Sequence, residues 1–264
     1  MNITKLLTTT AFVSLLAVSS ANAVVYGAHN GSFYVTQVDQ GTGPGGRTYN
    51  SIGIKQEAGN LFSAKQVGVN DIVAYQYGGA GNKAYISQNG QSNRLDLSQA
   101  GSNNIANINQ IGFSNNASVT QSGSNNYAYI TKGKSSTGSN FTKINTSGTA
   151  NSVSVMLTGY KHTASITQKS TKSSTVDVSQ GDPYLGGTAD SASILQSGGS
   201  GNVAYLRQNG SYNKASISQY NSFNNAKIIQ NGSGNNVSVT QYGSKTYSIT
   251  QNGNNIPPVT IVQK

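Results

Sequence analysis

The sequence has no cysteine, no tryptophan, four prolines, two histidines and seven acidic residues among 264 positions. Each scarcity excludes something. Without cysteine, no disulfide framework can hold an exported chain of this size, and no thiolate is available as a metal ligand or nucleophile. His29 and His162, with acids that stand singly along the chain, supply no paired carboxylates, no zinc spacing and no nucleophile-histidine-acid set. The run Gly41-Thr42-Gly43-Pro44-Gly45-Gly46 lacks the Lys-Ser/Thr ending of a phosphate loop. Asp177, Asp182 and Asp190 gather around an inserted loop and read as a solvated turn rather than a calcium site. The chain therefore reads as a non-enzyme with no cofactor and no metal. Charged residues make up 9% and apolar residues 35%, too thin a supply for a conventional globular interior.

One apolar run is long enough to notice. Residues 6–18 follow Lys5 and precede Ala21-Asn22-Ala23, the small-x-small form that a signal peptidase cuts. The run is shorter than the roughly twenty residues a spanning helix needs. Residues 1–23 are thus read as an export signal, leaving a chain that starts at Val24.

What the sequence does have is a period. Gln88, Gln99, Gln110 and Gln121 stand eleven residues apart, and Gln208, Gln219, Gln230 and Gln241 repeat the step. A Gly follows two residues after the Gln (Gly90, Gly101, Gly112, Gly123, Gly210, Gly232, Gly243) and an Asn at five (Asn93, Asn104, Asn115, Asn126, Asn213, Asn224, Asn235). Small or aliphatic residues stand at seven and nine: Leu95 and Leu97, Ala106 and Ile108, Ala117 and Val119, Ala128 and Ile130, Ala215 and Ile217, Ala226 and Ile228, Val237 and Val239. A short fixed period signals a stacked array.

Within a step the alternation is two-residue, as in a half-buried strand. The aliphatic positions must be buried, and parity takes the Gln and Asn inward with them, while the Gly falls in a turn. Two steps make a strand-turn-strand unit of about 22 residues, and units stacked along one axis form an all-β, two-sheet solenoid. One unit cannot stand alone: each buried aliphatic side chain contributes roughly 1.5–3 kcal/mol, while ordering the backbone costs on the order of 1–2 kcal/mol per residue. Stability must be shared along the stack. Buried Gln and Asn fit, because identical side chains one above another can satisfy their amides as ladders.

The period runs with insertions from Gln56 through Gln66, Gln76 and Gln88 to Gln263, about nine units. Lys132, Thr146 and Leu157 take the Gln position, the step recovers at Gln168, and His162 takes an Asn position. Residues 252–264 are expected to be irregular, because Pro257-Pro258 lacks two amide donors. Outward positions on one face are Ser118 and Thr120, Ser165 and Thr167, Ser216 and Ser218, and Ser238 and Thr240, interrupted by Lys143 with Asn145 and by Ser193 with Leu195. The other face shows Tyr85 and Ser87, Tyr129 and Thr131, Tyr205 and Arg207, and Lys227 and Ile229. The net charge of +10 suits acidic polysaccharide or extracellular DNA, although the charges stand singly and serve equally as gatekeepers.

The pattern Gln-x-Gly-x-x-Asn-x-Ala-x-x-x-Gln, doubled into 22-residue units over residues 56–251, resembles the curlin repeat of curli subunits, the secreted proteins of bacterial functional amyloid. The resemblance implies that the inward amides, Gln168 among them, drive fibre growth. It also implies that residues 24–55, a Gly-rich segment, correspond to the region read by an outer-membrane secretion channel. The implied partners are further copies of the chain, a curli-type nucleator or major subunit, and the channel with its accessory factors. The product would be a cell-surface fibre assembled after transit of the periplasm, for matrix, adhesion and attachment. Irregular, basic units like residues 132–157 are a feature of the family's nucleators, so either subunit role is open. A capped, monomeric solenoid whose Ser/Thr face binds ice or a glycan is the alternative.

Overall fold

The computed structural model of the chain describes residues 13–18, 22–28, 32–38, 51–57, 59–133, 138–181 and 187–264. Residues 1–12, His29, the 41–46 stretch and the inserted loop with Asp182, to which expectations were attached, lie outside them. Among the described residues there is no helix. The strands are β1 (Val13–Val18), β2 (Asn22–Ala28), β3 (Ser32–Val38), β4 (Ser51–Gln56), β5 (Leu61–Tyr77), β6 (Lys83–Ser102), β7 (Ile105–Phe113), β8 (Asn116–Ser124), β9 (Tyr127–Lys132) and β10 (Phe141–Thr149). They continue as β11 (Ser152–Leu157), β12 (Thr163–Lys172), β13 (Thr175–Gln180), β14 (Ser191–Ser197), β15 (Val203–Ser211), β16 (Lys214–Tyr220), β17 (Asn225–Ser233), β18 (Asn236–Tyr242), β19 (Thr246–Asn252) and β20 (Val259–Gln263).

Pairing is parallel and skips one strand. β7 pairs β9, β9 pairs β11 and so on to β19, while β8 pairs β10 and the series runs on to β20. β5 and β6 each pass through a turn and serve both stacks. The result is a two-faced β-solenoid whose successive rungs are offset by about 22 residues: Ala84, Ala106 and Ala128 lie one above another, as do Leu95 and Ala117.

The narrow interior explains the small residue types. On one face Ala106, Ile108, Ala128 and Ile130 are buried, and Leu95, Leu97, Ala117 and Val119 are buried on the other. The C-terminal rungs repeat this with Ala226 and Ile228 on one face and Ala215, Ile217, Val237 and Val239 on the other. All of them join one continuous core running the length of the stack. Extended chains packed face to face leave about 10 Å between sheets, enough for an Ala-Ile layer but not for aromatic pairs. Most tyrosines accordingly lie outside, Tyr85 and Tyr129 among them, while Tyr247 packs partly buried against the core in register with Ala226.

The C-terminal expectation is corrected in part. β20 follows Pro257-Pro258 and pairs β18 in register, Gln241 opposite Gln263. The prolines occupy the turn before the strand, where their missing N–H groups interrupt no ladder, so irregularity is confined to residues 253–258.

Candidate functional site: the interior amide columns

Two Gln columns and two Asn columns run along the interior. The inward Gln and Asn residues named above are buried, save the half-buried Gln263, as are the paired aliphatic positions between them, from Leu95 and Leu97 through Ile130, Ile217 and Ile228 to Val239. Gln donates up the chain: Gln66 Nε2 to Gln88 Oε1 at 2.9 Å, Gln88 to Gln110 at 2.7 Å, and on the other face Gln76 to Gln99 at 2.7 Å and Gln99 to Gln121 at 2.8 Å. The C-terminal half repeats this through Gln208 to Gln230 at 2.9 Å, Gln219 to Gln241 at 3.0 Å, and Gln168 to Gln196 at 2.8 Å. The second N–H of the amide has its own task. Gln99 donates to Lys83 O at 3.2 Å and Gln121 to Ile105 O at 3.1 Å, so each Gln closes the end of one face onto the start of the opposite one.

Asn donates in the reverse direction. Asn104 Nδ2 reaches Asn82 Oδ1 at 3.1 Å, its own turn at Ala100 O and the next turn at Gly123 O, at 3.1 and 3.0 Å, while its backbone N–H shares the Asn82 oxygen. Asn93 and Asn115 are linked in the same way, as are Asn126 and Asn104 and Asn224 and Asn202. An Asn column therefore fastens turns, and a Gln column fastens faces.

The glycines sit where no side chain fits. At Gly90, φ is 123° and a Cβ would stand 2.0 Å from Gly112 O. Gly101, Gly123, Gly210 and Gly232 repeat that close approach, and Gly112 shares the positive φ. Gly243 differs, with φ 66° and only an ordinary contact, Asn221 Cβ at 3.8 Å, in the way of a Cβ. A second turn requirement went unread in the sequence. The residue just before the inward Asn is left-handed at Ser92, Asn103, Ser114, Asn125, Ala150, Tyr212 and Phe223, with φ from 55° to 58°. Ser and Asn hint at it, but Ala, Tyr and Phe hide it.

Among the described residues both kinds of column are interrupted together in one region, and the Asn columns also give way to Lys245 and Ile256 in the last rungs. Lys132, Thr146 and Leu157 fall in register with the Gln positions and His162, Ser174 and Asp190 with the Asn positions. Gln110 Nε2 is left without a partner because Lys132 offers no acceptor above it. Lys132 is fully buried, donating to Asn116 O and, at 3.2 Å, to Asn140 O. Burial holds its ammonium well below the usual lysine range. Thr146 Oγ1 reaches Gln168 Oε1 only at 3.5 Å.

Outside, Ser118, Lys143, Ser165, Ser193, Ser216 and Ser238 fall in one line, with Thr120, Asn145, Thr167, Leu195, Ser218 and Thr240 beside them. Lys143 and Leu195 break this hydroxyl surface. On the other face Tyr85, Asn107 and Tyr129 align, and Lys227 lies 5.5 Å over the Tyr205 ring. Asp177 faces outward whereas Asp190 is buried beside His162, so these two acids do not converge.

The Curlin associated repeat model matches residues 70–101, 101–131 and 187–220. The interval between the matched stretches is the interrupted region. A comparison with curated proteins gives no match.

Proposed function

Because this chain belongs to the curlin family, whose members are structural amyloid subunits rather than enzymes, we propose that it is a secreted subunit polymerising into curli-type fibres at the bacterial cell surface. The fibres serve as biofilm matrix and in adhesion and attachment. The observation that supports this reading best is the rung-to-rung identity of the amide columns, in which each Gln donates in register to the Gln of the next rung. Among the described residues, Gln251 and Gln263 are the last to accept in their columns, from Gln230 and Gln241. Their Nε2 atoms turn aside to Pro257 O at 3.3 Å and Thr246 O at 3.4 Å. A rung of this kind offers the same backbone and amide groups to whatever rung stacks next, so a second copy of the chain can supply that rung.

Export uses the leader at residues 1–23, whose removal takes β1 with it. Residues 24–55 address the chain to an outer-membrane channel and its accessory factors. A nucleator or major subunit of the same repeat type supplies the partner surface. The basic net charge attracts acidic polysaccharide or extracellular DNA, with strong salt dependence.

The test is seeded polymerisation of wild type and Gln251→Leu/Gln263→Leu. Wild-type seeds should abolish the lag of wild-type monomer, and the double variant should lengthen the lag while its monomer keeps the same far-ultraviolet circular dichroism. A chain that stays monomeric and ignores seeds contradicts the proposal, and leaves the ice- or glycan-binding solenoid as the reading to pursue through its hydroxyl face.

A further inference from the structure

Among the described residues, Lys132, His162 and Asp190 are the only charged or histidine side chains in the interior. They are not scattered. Lys132 donates to Asn140 O, Asn140 Oδ1 accepts the His162 backbone N–H at 3.0 Å, and His162 Nδ1 lies 3.3 Å from Asp190 Oδ2. Asp190 Oδ1 then accepts from Asn213, at 2.8 Å from its backbone N–H and 3.1 Å from its side chain, returning the column to asparagine. The same rungs hold nearly every buried polar atom left without a partner. Gln110 Nε2, Thr131 Oγ1, Thr142 Oγ1, His162 Nε2, Gln180 Oε1 and Asp190 Oδ2 all fall here, and Gln56 Oε1 alone lies elsewhere among the described residues. Below this belt the Gln ladders run unbroken to Gln110 and Gln121, and above it they resume at Gln180 and Gln168.

We propose that β9 to β14 form a proton-sensitive joint that divides the solenoid into two separately cooperative blocks. His162 Nδ1 has two incompatible uses: as an acceptor it takes the Asp190 backbone N–H at 3.3 Å, and as a protonated donor it serves Asp190 Oδ2. One nitrogen cannot do both, so the pair ties the two turns less firmly than the amide columns do. Lys132 adds a direct cost. It meets Gln110 and Leu157 in its own column and backbone carbonyls across the interior, and no carboxylate faces it. Lys143, Lys161, Lys169, Lys172, Asp177, Arg207 and Lys214 on the surrounding elements are directed outward. Its folded-state proton affinity lies below that of the unfolded chain. Its contribution to stability is thus full above the ordinary lysine value of 10.5 and is lost as pH falls through the lowered folded value. Acid loosens the joint while the blocks on either side, which hold no fully buried charge, stay closed. The joint belongs to the single folded chain, so it does not depend on polymerisation.

Peptide-resolved hydrogen exchange of the full chain at about pH 9 and about pH 5, corrected for chemical exchange rates, tests this. In wild type, protection of β9 to β14 should fall on acidification by about tenfold or more relative to β6 to β8 and β15 to β18. Lys132→Met removes the charge without rebuilding the ladder and should abolish most of that loss. His162→Asn/Asp190→Asn, which restores the amide pair of neighbouring rungs, should raise the protection of β9 to β14 at both pH values. Uniform loss along the stack overturns the joint, and so does an acid response that persists in Lys132→Met. Should the double variant not fold, the Lys132→Met comparison decides by itself.

Discussion

Replacing Gln99 with Leu isolates what an amide column contributes. Gln99 accepts from Gln76 at 2.7 Å and donates to Gln121 at 2.8 Å. In Gln99→Leu, Gln76 keeps one donor bond, to Leu61 O at 3.1 Å, but its other N–H and the Gln121 oxygen lose their partners. Each orphaned buried group costs about 1–3 kcal/mol, or about 4 kcal/mol for the two, and the new leucine returns about 1.5–3 kcal/mol of apolar burial. The net loss is about 2 kcal/mol, roughly a thirtyfold shift toward the unfolded chain. Because the loss comes from orphans rather than from the amide itself, Gln99→Leu/Gln121→Leu should cost less than the sum of its parts, with a coupling of about 0.5–3 kcal/mol. Urea unfolding followed by tyrosine fluorescence measures both, with the outward Ser98→Ala as a control expected within about 0.5 kcal/mol of wild type. If Gln99→Leu is neutral or stabilising, or if the pair is strictly additive, the ladders do not stabilise the stack and apolar packing alone accounts for it.

Gly90→Ala should be among the most damaging single changes, by more than about 2 kcal/mol, because its Cβ meets Gly112 backbone oxygen at 2.0 Å and φ is 123°; thermal unfolding reads the loss. Ala150→Gly should raise stability by about 0.5–1 kcal/mol, since Ala150 is exposed at φ 55° and glycine removes the left-handed strain at a smaller entropic cost. Partial burial raises the Asp177 carboxyl above its usual value of 3.8, against a hydrogen bond with Ser154 that lowers it. A raised acid favours the folded state below the unfolded value, and the benefit is lost as pH rises through the folded value. Asp177→Asn should therefore flatten stability across that mildly acidic window and raise it at neutral pH, as unfolding midpoints across the range would reveal.

The eleven-residue period made the fold legible, because a stack repeats one environment and the same residue types return to it. Parity alone placed Gln99 and Asn104 inward with Ala106 and Ile108, for a strand cannot bury alternate aliphatics without burying what lies between turns on the same side. Other features depend on geometry that types do not carry. The opposite donation of the Gln and Asn columns follows from where each amide lies relative to its turn. The left-handed residue before each Asn was hidden because Ser92, Ala150 and Phe223 share no chemistry. The His162–Asp190 contact needed the rung count across an inserted loop, and the strand after Pro257-Pro258 needed the turn to be seen. Lys132 was readable as a stand-in for Gln, but not as an amine held by Asn116 and Asn140.

Fibre diffraction of the chain from Val24 to Lys264, after quiet incubation with and without preformed seeds, tests the central claim most directly. Templated stacking of these rungs gives reflections near about 4.7 and about 10 Å, from material whose lag is abolished by seeds. A folded chain that remains monomeric at high concentration, or aggregates lacking that pair of spacings, contradicts it.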